Sequence, residues 1–228
     1  TDSIEKGLYD PCDLERVQTE NAYVHSFLQH TRGNQEKAVA MIDSSLRWRK
    51  ELELSSLTES SFPREVHEIG AMFYRNEDRN GRKILYFRVS KSKKDPDKLL
   101  TVKKYVAWWL DKHFLKHPGV KIVPLFDMTD AGIGNMDIEL IKFQIACFAS
   151  YYPGLLDYML IYEMPWVLNA IWKLIRNVLS AEQQKAVLFV KKAEIQQYVA
   201  PDHLFVHMGG TDTYTYTYMP SEDSGIEL

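Results

Sequence analysis

Over residues 13–60 the apolar positions recur at helical spacing. Asp13 can cap a segment carrying Leu14, Val17, Val24 and Leu28, which Arg32-Gly33-Asn34 interrupts. Asn34 opens a second segment in which Ala38, Met41, Ile42, Ser45, Leu46 and Trp48 form a stripe, while Glu36, Lys37, Asp43, Arg47 and Lys50 face water. Pro63 starts a short helix over 64–69.

The period then shortens. Asp78-Arg79-Asn80-Gly81 is a turn signal between two apolar runs, 72–74 and 84–89, and predicts a strand-turn-strand unit. A polar loop over 91–98 precedes a helix that starts at Asp97 and carries Val102, Tyr105, Val106, Trp109 and His113 on one face. Beyond Pro118-Gly119, strands over 121–127, 157–163 and 187–191 alternate with helices over 137–152 and 165–179. Strands joined by crossover helices imply a mostly parallel sheet. Thr213-Tyr214-Thr215-Tyr216-Thr217-Tyr218 alternates with period two, as an added edge strand or a flexible exit, and 221–228 reads as an acidic linker.

Composition sharpens this picture through its distribution. The chain has 228 residues, 45% hydrophobic and 26% charged, with a net charge of −3. Such a chain folds around a sizeable core and lacks the basic stripe that nucleic-acid binding requires. Between Val120 and Leu179, however, only 10 of 60 positions are charged, and 13 of the 28 aromatic residues fall between Tyr105 and Trp172. That is more apolar side chain than a small sheet needs for its own packing, and it predicts a thick core or a cavity for an apolar ligand. The longest uncharged run, Phe143 to Leu156, has 14 residues, short of the roughly 20 that span a bilayer. The first residue is not methionine, there is no signal peptide, and the end is polar, as in a domain cut from a longer protein.

Motifs for catalysis are absent: there is no GxSxG, GxxxxGK[ST] or GxGxxG. The 127–135 loop follows a strand and precedes a helix but has two glycines and no basic residue, so it reads as a turn capped by Asn135 or Asp137. His113 and His117 share a helical face without a third ligand nearby, and Cys12 and Cys147 are far apart with no CxxC partner, predicting reduced thiols. Neither a metal nor a cofactor is expected. In 164–179, Asn169, Lys173, Arg176 and Ser180 form a narrow polar stripe on an otherwise apolar helix. That helix either crosses over the sheet or lies at a membrane interface.

The order of these motifs resembles the CRAL-TRIO lipid-binding domain. The likeness rests on Leu46-Arg47-Trp48-Arg49, on Asp78-Arg79-Asn80-Gly81-Arg82-Lys83, on Tyr152-Pro153 followed by an apolar strand, Pro165 and an amphipathic helix, and on Leu204 to Gly210, where Phe205 replaces a proline. Within the family the likeness is greatest to the domain of a membrane-tethering member. The resemblance implies an α/β fold: an N-terminal helical lobe (1–70), a lipid-binding lobe (71–212) whose mainly parallel sheet is flanked by helices, and a tail (213–228). It implies a pocket beneath a gate helix over 165–179 that opens on a membrane, and a non-enzymatic function in binding and transferring a hydrophobic lipid. The alternative is a module that targets membranes or lipid droplets without cargo.

Alternation and family position together name Leu125, Asp127, Phe143, Cys147, Tyr151, Met159, Ile161, Val167, Ile171, Leu174 and Ile175 as pocket residues. Trp166, Trp172, Lys173 and Arg176 are expected at the membrane. The family's phosphoinositide-transferring branch has a Glu after Tyr-Pro, where Gly154 stands, and a Thr and a Lys after the gate, where Gln183 and Ala186 stand with Lys185 adjacent. Glu163 replaces a usual Asn before the gate and, as a polar group near the pocket mouth, requires a partner. The expected location is the cytoplasmic face of membranes, at the endoplasmic reticulum through segments outside this chain.

Overall fold

Two of the four amino-terminal helices start where a short polar side chain holds a free N–H group. In the computed structural model, which describes residues 7–220, Pro11 opens α1 (Pro11–Thr19) and the Asp10 carboxylate caps it, accepting from the Cys12 N–H at 2.9 Å. Asp13, expected as that cap, instead lies inside the helix with its carboxylate buried against Arg49. The helical segment breaks at Glu20 and resumes as α2 (Asn21–His30). Asn34 caps α3 (Gln35–Glu51) as expected, accepting from the Lys37 N–H, and α4 (Arg64–Glu68) follows Pro63.

The hairpin β1 (Met72–Glu77) and β2 (Lys83–Arg88) is antiparallel; β3 (Val123–Asp127), β4 (Met159–Tyr162) and β5 (Val187–Val190) extend it in parallel, in the order β1-β2-β3-β4-β5. Parallel neighbours need long crossovers. These are α5 (Leu99–Lys116), then α6 (Ile138–Ala146) with a π turn at Cys147–Tyr151, then α7 (Asn169–Arg176) and α8 (Ala181–Ala186). The helix expected over 165–179 is shorter: a 3-10 turn at Trp166–Leu168 leads into α7, which ends at Arg176.

The hairpin turn is built around Asp78. Its buried carboxylate accepts from the N–H groups of Asn80 (2.9 Å) and Arg82 (2.8 Å), the Arg82 guanidinium (3.1 Å) and the Tyr158 hydroxyl (2.7 Å). Burial pushes this carboxyl up, but the bonds from Arg82, Tyr158 and Asn80 outweigh it and hold the group below the ordinary carboxylate value. A depressed folded-state value stabilises the protein above the ordinary range and is lost as pH falls through it. Asp78→Asn is therefore expected to lower the urea midpoint at pH 7 and to narrow the gap from wild type at about pH 3. An unchanged gap at the lower pH would remove Asp78 from the acid response.

The two sheet faces bury different cores. On one, Tyr86, Leu125 and Leu160 pack against Ile195, Leu204 and Met208 of the closing segment. That segment requires its paired glycines: Gly209 has φ +88°, and a Cβ on Gly210 would stand 2.0 Å from the Leu204 carbonyl oxygen. The other core joins the helical lobe to the sheet lobe, with Tyr23, Phe27 and Trp48 packed among Phe114, Tyr152 and Leu155. Trp48 stacks on Tyr151 with ring centres 4.1 Å apart, and next to it Arg49 bridges Asp13 and Asp111.

The tyrosine-threonine segment is neither an edge strand nor a free exit. It runs extended, with Tyr214, Tyr216 and Tyr218 half-buried and the threonines outward. Arg75 lies 4.2 Å from the Tyr214 ring centre, the Tyr216 hydroxyl donates to the His67 carbonyl, and Tyr218 stacks on His67. The acidic 221–228 stretch lies outside the described residues.

Candidate functional site

Because side chains alternate along a strand, one register row puts the same face of all five strands in line. Met72, Phe87, Phe126, Ile161 and Phe189 are consecutive cross-strand partners and point away from the closing segment. All five line a cavity of about 700 Å³, within the range of small-molecule sites. Val102 and Tyr105 of α5 and Leu140, Ile141 and Gln144 of α6 form the facing wall. Five of the eight methionines, Met72, Met128, Met136, Met159 and Met164, also contribute. Thioether side chains have several low-energy rotamers, so this wall can reshape around a ligand.

Over the β4–β5 end lies the segment expected to act as a gate. Leu168, Trp172, Ile175 and Leu179 recur at intervals of four, three and four and all line the cavity, each one position before a member of the polar stripe Asn169, Lys173, Arg176 and Ser180. Trp172 meets Phe189 edge-on, with ring centres 4.8 Å apart. Trp166 is 83% exposed, Leu174 64% and Val178 58%. The helix thus carries apolar side chains inward and outward.

The residues expected in the pocket divide accordingly. Met159, Ile161 and Ile175 line it. Leu125 and Asp127 have the other strand parity and face the closing segment, because an offset of one residue exchanges sheet faces. Phe143 and Tyr151 pack on Trp48, and Cys147 is buried in the core between the lobes, where burial above all, with Asp111, pushes its thiol up. Ile171 packs beside Met128, Ala131 and Leu168, while Val167 and Leu174 point to solvent. Of the four residues expected at the membrane, Trp166, Lys173 and Arg176 are exposed and Trp172 is turned inward. The Arg176 Nε donates to Gln184 Oε1 at 3.1 Å. Phe87, Phe126 and Phe189 escaped the sequence reading although their alternation with Tyr86, Leu125 and Leu188 carried the signal.

Polar groups around the cavity are mostly engaged. Glu163 has its required partners: it accepts from the Lys192 N–H at 2.7 Å and from Lys191 Nζ at 3.1 Å. Burial raises its carboxyl, but those two lysines hold it below the ordinary value. Its φ of +50° lies in the left-handed region, which asparagine tolerates better than glutamate. Asp137 caps α6, and Asn135 reaches across to the loop after β2, donating to the carbonyls of Ser90 and Ser92. Behind the sheet, His207 Nε2 lies 2.8 Å from Asp127 Oδ2; burial raises that carboxyl, and His207 with Thr129 brings it below the ordinary value. His113 sits against the Val120 carbonyl, its ring centre 5.3 Å from that of His117. Among the described residues no group of three His, Cys, Asp or Glu is placed to hold a metal.

Comparison with known proteins bears on this site. The family model of the CRAL/TRIO domain matches residues 67–210. The chain is 28% identical over 204 residues to the CRAL-TRIO domain-containing protein C3H8.02 of Schizosaccharomyces pombe, covering 84% of this chain and 46% of that protein. It is 26% identical over 219 residues to the phosphatidylinositol transfer protein CSR1 of Eremothecium gossypii, covering 89% and 50%. The chain spans about half the length of these curated relatives. The crystal structure of Sfh5 shares the fold, with a TM-score of 0.66 at 18% identity over 90% of this chain and 77% of that one.

Proposed function

The chain belongs to the CRAL/TRIO domain family, whose domains bind hydrophobic lipids, and from that premise we propose that it holds one lipid in the cavity beneath α7 and exchanges it at a membrane surface. The observation that carries this reading is the two-sided gate. Leu168, Trp172, Ile175 and Leu179 cover the cavity, while Trp166, Leu174 and Val178 stand in water. Exposed apolar side chains of this size gain nothing from solvent and gain free energy when an interfacial helix sinks them among acyl chains. Lys173 and Arg176 on the same outer surface favour anionic headgroups. A gate that swings outward exchanges one apolar environment for another, which keeps the cost of opening low at a membrane and high in water.

The relative CSR1 is named for phosphatidylinositol transfer. In this chain Gly154, Gln183 and Ala186 occupy the positions that serve the inositol phosphate in that branch of the family, so the cargo is held without those contacts. The reading is one of binding and transfer of a hydrophobic lipid.

A second reading uses the same outward face without a cargo: a module that targets membranes or lipid droplets. It draws on the likeness of Glu163-Met164-Pro165-Trp166 and of 207–212 to the domain of motile sperm domain-containing protein 2, a tethering protein, with an endoplasmic-reticulum anchor beyond this chain. Organic extraction of the purified, folded protein followed by lipid mass spectrometry separates the two. The carrier reading expects about one lipid per chain; an empty extract overturns it and leaves the targeting reading.

A further inference from the structure

The cavity has two unlike ends. At the β4–β5 end it is closed by the apolar side chains of the gate. At the β1–β2 end its exposed lining residues gather from two segments: Pro63, Glu65 and Ile69 around α4, and Lys91, Lys93 and Lys98 after β2. None of these three lysines pairs with a carboxylate among the described residues. Two of the three lining carboxylates are already used: Asp95 accepts from the Asp97 N–H at 3.1 Å, and Asp137 accepts from the Glu139 N–H at 2.9 Å. Glu65 is the remaining acid. The loop carrying the lysines is anchored, since Asn135 donates to the carbonyls of Ser90 at 3.3 Å and Ser92 at 2.7 Å.

Dimensions limit what can lie between these ends. Five strands about 4.8 Å apart make the apolar row from Met72 to Phe189 about 19 Å long. That is close to the roughly 15 Å that the chains of one leaflet occupy, half of the hydrocarbon core. One extended acyl chain matches that length.

We propose that the cavity takes an amphiphile whose acyl chain lies along the apolar row and whose anionic oxygen group, a carboxylate or a phosphate, sits among Lys91, Lys93 and Lys98. This rests on the carrier reading above and adds the class of cargo and the place of its headgroup. Charge-assisted bonds to a carboxylate or phosphate are the stronger kind, and apolar walls on one side reduce screening.

The test is equilibrium binding to the delipidated chain, at pH 8, of oleic acid, 1-oleoyl lysophosphatidic acid and oleyl alcohol, which share one tail. The wild type is expected to prefer at least one anionic lipid over the alcohol by roughly tenfold. The combined Lys91→Ala, Lys93→Ala and Lys98→Ala variant is expected to lose that preference while still binding the alcohol, because the three side chains are exposed and its fold is retained. The anionic lipid with the larger loss identifies the headgroup. Equal affinity for acid and alcohol, or a preference that survives in the variant, overturns the inference and leaves the carrier reading standing. Failure of all three lipids to bind the folded wild type overturns it as well, while the extraction experiment decides the carrier reading independently.

Discussion

Replacing Arg49 by methionine is expected to cost about 3–5 kcal/mol of folding stability, the penalty for removing one partner from a buried ion cluster. Arg49 is 1% exposed. Its guanidinium meets Asp111 through two bonds, at 2.6 and 3.0 Å, and lies 2.9 Å from Asp13. Burial works against the charge, but Asp111 and Asp13 hold the guanidinium protonated, well above its ordinary value. Ser55 donates to Asp13 at 2.8 Å and Arg16 at 2.6 Å, so the cluster is satisfied from several sides. Methionine fills much of the volume yet leaves two carboxylates with reduced compensation in the core shared by the lobes. The urea midpoint is the measurement. Adding Asp13→Asn and Asp111→Asn to Arg49→Met is expected to restore part of the loss. A midpoint within error of wild type for the single variant would show that the cluster does not hold the lobes together.

The second large effect is expected at the gate, where two classes of substitution should separate. Aspartate at Trp166, Leu174 and Val178 together is expected to lower partition onto anionic vesicles by more than about 100-fold, since each such side chain contributes about 1.5–3 kcal/mol when fully buried and tenfold corresponds to about 1.4 kcal/mol. These positions are exposed in the closed form, so the urea midpoint and the extracted lipid should not change. Trp172→Asp reverses the pattern. It puts a carboxylate into the cavity wall beside Phe189, and the extracted lipid is expected to fall while the outer face is unaltered. Undiminished vesicle binding by the triple variant would refute the membrane role of the outer face. A full lipid complement in Trp172→Asp would place the cargo elsewhere.

These two predictions draw unequally on what the chain shows by itself. The gate's polar stripe was legible from spacing alone, since lysine, arginine and asparagine mark the wet side of a helix unambiguously. Which apolar residues face the cavity was not, because Trp172 and Trp166 have the same chemistry and differ only in where the sheet stands. Arg49 is the harder case. Within α3 its side chain has the chemistry of Arg47 and Lys50, which stay at the surface, and nothing local says that Asp111, 62 positions away, will meet it.

The sequence by itself determined the order of elements, the turn around Asp78 and the apolar zone from Tyr105 to Trp172. Each is set by local spacing, turn chemistry or composition, which do not depend on distant partners. Only the tertiary structure decided which strand parity lines the cavity. It put Phe87, Phe126 and Ile161 there and sent Leu125 to the opposite core, because alternation fixes two faces but not which of them the closing segment covers. It also brought the tyrosines of 214–218 onto His67 and Arg75, and the lysines of 91–98 to one end of an apolar cavity. Contacts between segments so far apart arise from packing the layers together, and no periodicity within either segment encodes them.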